Sequence, residues 1–122
     1  MTNNNDGTTI ISIWTPEDRL IIHQVLGKLA EEASEAANIA IRCMIQGLDE
    51  VEPVTRVSNI EALTKEISDV TATIRWLEEV TGIKPRETRI ENKLAGYREW
   101  AEGLQQLLDD AQERFNIDLL RM

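Results

Sequence analysis

The 122-residue chain is predicted to be all-α, a helical bundle completed by oligomerisation. Three observations lead there. Ala, Leu, Ile and Glu dominate, while aromatics make up 4% and the chain holds only six Gly and three Pro. Apolar residues recur at helical spacing over long windows. The breakers Gly47, Pro53, Gly82 and Pro85 fall between those windows. A chain of this length forms one modest domain with a single core.

Taken in order, residues 1–13 read as a flexible tail, polar and turn-forming up to Thr9. The short apolar stretch from Ile10 to Trp14 is expected to dock on the bundle. Thr15 is the expected N-cap of the first helix, with Pro16 at its first position and Glu17 and Asp18 facing the positive end of the dipole. The helix runs to about Gln46 and stops at Gly47. Gly27 interrupts it, as a kink, a break or a point of close packing. Leu48 to Val57 reads as a loop. Ser58 or Asn59 caps a second helix, with Glu61 in capping-box position, and Gly82 ends it after Thr81. Pro85 opens the last helix, in which Ile90, Leu94, Tyr97, Ala101, Leu104, Leu108, Ala111 and Phe115 keep heptad-like spacing. A helix with such a seam is expected to bury it in a homo-oligomer.

Composition narrows the function. Thirteen basic residues against 22 acidic ones, a net charge of −9, exclude a nucleic-acid surface, which needs clustered Lys and Arg. No apolar run approaches the roughly 20 residues of a membrane span, and the N-terminus has neither a charged nor an apolar leader region, so a soluble cytoplasmic protein is expected. Cys43 stands alone: it is read as a buried helix residue in a reducing compartment, and no Cys/His spacing supports zinc.

Two acidic clusters carry the chemistry. On the first helix Glu31, Glu35, Lys28 and Glu32 fall within roughly one quadrant, at the edge of an apolar face of Val25, Leu26, Leu29, Ala33, Ala36, Ala37 and Ala40. The second helix has an apolar stripe of Ile60, Leu63, Ile67, Val70, Ile74 and Leu77. Glu66 projects within about 20° of Leu77 and 40° of Val70, and is therefore directed inward. Like charges at ~4 Å repel by about 4 kcal/mol per pair at an effective dielectric of ~20. A hard divalent cation offsets this, because Mg²⁺ takes carboxylate oxygens at about 2.1 Å and completes its shell with water and phosphate.

Glu31-Glu32-x-x-Glu35 followed by Glu66-x-x-Asp69 resembles the EExxE…ExxD signature of the MazG-like, all-α nucleoside triphosphate pyrophosphatases. An Ala-rich first helix, Val70 after the Asp and a Lys…Arg pair one helix later add to the likeness, which covers about Trp14 to Trp100. The segment between Glu35 and Glu66 is longer than the family usually shows. The resemblance implies a pyrophosphohydrolase core over 14–101 and a C-terminal helical extension over 102–122. It also implies Mg²⁺, with Mn²⁺ as a substitute, held by Glu32, Glu35, Glu66 and Asp69, with Glu31 as the base that orients or deprotonates the attacking water. Lys93 and Arg98 would contact phosphates, and Trp14 and His23 the base. The implied reaction cleaves the α–β anhydride of a ribo- or deoxynucleoside triphosphate. A di-iron bundle is disfavoured because His23 completes no Glu-x-x-His motif. The competing reading is a non-catalytic oligomeric interaction module.

Overall fold

The computed structural model describes residues 13–121, and these are helical apart from their connections: α1 spans Leu20–Gln46, α2 Asn59–Thr81 and α3 Glu87–Arg121. No helix among them is long and apolar enough to cross a membrane. The chain falls into two compact units, Met1–Lys84 and Pro85–Met122. Most of the expected tail, and Ile10 to Ser12 of the expected docking stretch, lie outside the described residues. Ile13 and Trp14 are exposed, so this end of the stretch does not dock as anticipated.

The first helix starts later than its Thr-Pro signal. Residues 15–19 are not helical, and Arg19, with extended backbone, precedes the first turn without a side-chain cap. Glu17 explains the delay. Its carboxylate accepts from the backbone N–H of Arg19 at 3.0 Å and from the guanidinium at 2.7 and 3.0 Å, which closes a local turn that competes with helix. Arg19 thereby holds the Glu17 carboxyl well below its usual range, at about 2. Gly27 neither breaks α1 nor serves close packing, since a Cβ there would meet open space. Gly47 ends the helix at φ 93° and donates to the Cys43 carbonyl at 2.9 Å.

The connection after Gly47 is tightly tied. Glu52 accepts from the N–H groups of Val54 and Thr55. The backbone N–H of Asn59 reaches the Glu50 carbonyl at 2.8 Å, and that of Ile60 reaches Leu48 at 3.1 Å. Ser58 caps α2 by accepting from the Glu61 N–H at 3.1 Å. Gly82 closes α2 in the left-handed conformation.

Asn59 is the clamp of this unit. It is fully buried, donates to the Gly47 carbonyl at 2.8 Å and to Gln46 Oε1 at 3.3 Å, and accepts from Arg42 Nε at 3.1 Å. One side chain thus satisfies the carbonyl of Gly47, the C-cap of α1. It also fixes the register of an antiparallel hairpin: counting seven residues along each helix from the Arg42–Asn59 pair brings Glu35 opposite Glu66, then Lys28 opposite Thr73. Glu32, Glu35 and Glu66 do converge, and Lys28 and Thr73 do share one cavity.

The seam differs from the predicted apolar faces. On α1 the covered positions are Ile22, Val25, Leu29, Glu32, Ala36, Ile39 and Cys43, alternating by three and four residues. Glu32 therefore stands on the seam, while Leu26, Ala33, Ala37 and Ala40 face outward. Cys43 is half-buried, not buried, with Sγ 3.8 Å from the Asn59 carbonyl. On α2 the buried residues are Asn59, Glu66 and Thr73, a polar line of period seven flanked by half-buried Leu63, Val70, Ile74 and Leu77. Ile60 and Ile67 belong to the exposed side, 46% and 54% accessible, because the Asn59 clamp rotates α2 to put the polar line inward. Val25 is the one fully buried apolar side chain among the described residues.

The second unit is one continuous helix. Its polar side is stitched by i,i+4 pairs, Gln105–Asp109 at 2.9 Å, Gln106–Asp110 at 3.0 Å and Gln112–Asn116 at 3.2 Å. The predicted seam residues Ile90, Leu94, Tyr97, Leu104, Leu108 and Phe115 are all exposed.

Replacing Asn59 with Ala strands the Gly47 carbonyl and the Arg42 and Gln46 side-chain groups. The variant is expected to lose about 3 kcal/mol in urea unfolding, at about 0.5–1.5 kcal/mol for each of the three hydrogen bonds removed.

Candidate metal centre

Halfway along the hairpin, α1 and α2 bring three carboxylates together. Glu32 and Glu35, one turn apart on α1, and Glu66 on α2 each offer an oxygen, all within 4.8 Å of one another. Glu66 is 9% exposed. Its Oε2 and that of Glu32 are buried without a hydrogen-bond partner. Burying such atoms costs roughly 1–3 kcal/mol each, more when charged. The Glu35 carboxyl titrates above its ordinary value, raised first by Glu32, then by burial and by Glu66.

The other predicted residues take distinct places. Asp69, half-buried one turn beyond Glu66, pairs with Lys65 at 3.4 Å and stands outside the group of three. Lys65 also lies 3.4 Å from Glu66 Oε1. Glu31 is exposed and paired with Lys28 at 3.0 Å, an i,i+3 contact. Trp14 is 89% exposed and His23 is exposed on the first turn of α1. Lys93 and Arg98 are exposed on α3.

Beside the carboxylates opens a cavity of about 370 Å³ lined by Lys28, Glu32, Asp69, Ala72, Thr73 and Trp76. Thr73 spends its hydroxyl proton on the Val70 carbonyl at 2.7 Å, so the buried hydroxyl is satisfied within its own helix. Trp76 is only 36% exposed, which gives the cavity one aromatic wall.

The sequence reading leaves out Lys65 and takes Asn59 only as an alternative cap of α2. For Lys65 the signal was present, since it adjoins Glu66 and sits four residues before Asp69, the spacing of a helical ion pair. For Asn59 it was not, because a capping signal does not reveal which of two adjacent residues turns inward.

The donor set suits a hard cation. All three groups are carboxylates, two oxygens bound to one Mg²⁺ at about 2.1 Å lie at most about 4.2 Å apart, and the present spread needs little closure to reach that. The two orphaned oxygens are the atoms that a cation would satisfy. Comparison with protein-family models, with curated proteins and with solved structures finds no match to this chain.

Neutralising one member of the cluster relieves repulsion. Glu35→Gln is expected to melt a few degrees above the wild type in EDTA, and to lose any rise in melting temperature that millimolar Mg²⁺ gives the wild type, both read by differential scanning calorimetry.

Proposed function

We propose that the protein is a MazG-like nucleoside triphosphate pyrophosphohydrolase that depends on Mg²⁺, with Mn²⁺ as a substitute. The observation that supports this best is the buried Glu66, whose Oε2 has no hydrogen-bond partner and whose carboxylate meets those of Glu32 and Glu35 within 4.8 Å. An interaction module has no use for that arrangement, because replacing a buried charge with an apolar side chain is neutral or stabilising.

In this reading Glu32, Glu35 and Glu66, with Asp69, hold the cation. Bound there, it supplies Lewis acidity and neutralises charge on the polyphosphate. Glu31 lies at the solvent edge of the cluster. Lys28 engages its Oε2, and Oε1 is the acceptor for a proton from the attacking water. The water oxygen bonds to the α-phosphorus, the bond to the bridging oxygen breaks, and nucleoside monophosphate and pyrophosphate leave. Trp14 and His23 contact the base, and the cavity walled by Trp76 gives a flat ring room beside the carboxylates. The protein works in the cytoplasm on the nucleotide pool and assembles as a homodimer or homotetramer. The exposed seam of α3 is what favours self-association, and it equally supports the second reading, an oligomeric helical interaction module.

A panel of ribo- and deoxynucleoside triphosphates incubated with Mg²⁺ and resolved by chromatography is expected to yield monophosphate and pyrophosphate. Glu66→Gln should reduce turnover at least a hundredfold. A folded wild type that cleaves no nucleotide, and whose melting temperature Mg²⁺ leaves unchanged, contradicts the enzyme reading.

A further inference from the structure

The two oxygens of Glu66 face different surroundings. Oε2 is enclosed and unpartnered, on a carboxylate that stands with those of Glu32 and Glu35. Oε1 faces the Lys65 ammonium at 3.4 Å, and the same nitrogen lies 3.4 Å from Asp69 Oδ2. One positive charge therefore stands between the outer oxygen of Glu66 and Asp69. The side chain that carries it is 69% exposed, against 12% for Glu66 and 38% for Asp69. Solvent screens an ammonium this exposed and limits what it contributes to stability, so the position of Lys65 is better explained by what it does to the site.

Charge counting says what that is. Glu32, Glu35, Glu66 and Asp69 carry four negative charges, and a single divalent ion leaves two uncompensated, a poor reception for a polyphosphate. Lys28 is engaged by Glu31, whereas Lys65 bears directly on Glu66 and Asp69. An ammonium has three donors on a flexible stem. Two of them suffice for Glu66 and Asp69, and the third is open to a phosphate oxygen.

We infer that Lys65 is the resident second cation of the site. It competes with a divalent ion for Asp69 and the outer oxygen of Glu66, so that one metal binds, between Glu32, Glu35 and Glu66, and it presents its free N–H to the substrate's phosphate chain. This rests on the metal-binding reading proposed above, moves Asp69 from metal ligand to partner of Lys65, and adds a metal count and a phosphate contact that the acidic signature does not contain.

The test uses Mn²⁺ and inorganic triphosphate as probes, both followed by isothermal titration calorimetry, so that no turnover is needed. In Lys65→Ala the loss of a competing cation tightens Mn²⁺ binding at least tenfold, while triphosphate binds the Mn²⁺-loaded variant at least tenfold more weakly than the wild type. Lys65→Arg restores triphosphate binding. Lys28→Ala removes an equal charge without touching Glu66 or Asp69, and gives the size of the plain electrostatic effect, which should be several-fold smaller. Because Lys65 is exposed, the variants keep the wild-type circular dichroism spectrum. Opposite shifts for metal and phosphate are the diagnostic result, since a merely structural residue would move both the same way or neither. If wild type binds both probes and Lys65→Ala changes neither affinity, or changes them no more than Lys28→Ala does, the role of Lys65 is overturned and the metal site stands. If Mn²⁺ binds neither wild type nor variant, the metal reading falls and this inference with it.

Discussion

A glutamate buried in the middle of the α1–α2 seam is the constraint on which the rest of the first unit depends. Seam positions of a two-helix hairpin ordinarily go to apolar residues, which stabilise by roughly 1.5–3 kcal/mol each. Here the inward line of α2 reads Asn59, Glu66, Thr73, and α1 answers with Glu32. Asn59 and Thr73 are satisfied by hydrogen bonds within the protein. Glu66 is satisfied only on its outer side, by Lys65. The unit thus forgoes core stability at the one level where three carboxylates meet, the pattern expected where a local rule is broken for function.

The clamp and the cluster are parts of one geometric device. Asn59 lies seven residues before Glu66, about 10.5 Å along the helix, and its hold on Gln46, Gly47 and Arg42 sets the register two turns away. A slip of one residue would rotate α2 by about 100° and carry Glu66 out of the seam. The ordered loop through Glu52 serves the same end, since it brings the start of α2 onto the end of α1 without slack.

Much of this was legible in the sequence, and the exceptions are physical. Gly47 and Gly82 ended their helices where expected, because a residue with positive φ is a local requirement that glycine meets. The inward direction of Glu66 followed from its angular distance to Leu77 and Val70. The start of α1 was misjudged, because Thr15-Pro16 competes with a Glu17–Arg19 turn that propensity does not weigh. The faces were misjudged because apolar residues lie on more than one side of both helices. Hydrophobicity then cannot tell the hairpin seam from the surfaces left outside it, Ile60 and Ile67 on α2 and Leu26, Ala33, Ala37 and Ala40 on α1. Polar residues held by tertiary contacts decided the rotation. Lys65 lies outside the acidic motif, and its i,i+4 spacing to Asp69 is one that any exposed helical ion pair shows.

The most direct test is the metal-free stability of Glu66→Met, measured by urea unfolding in EDTA beside the wild type. If Glu66 is buried for the sake of a cation, the apolar side chain fits the seam better than an uncompensated charge. The variant should then be more stable by about 1–4 kcal/mol, and Mg²⁺ should stabilise the wild type alone. A variant less stable than the wild type in EDTA would contradict this, since Glu66 would then be a structural residue satisfied by the protein itself.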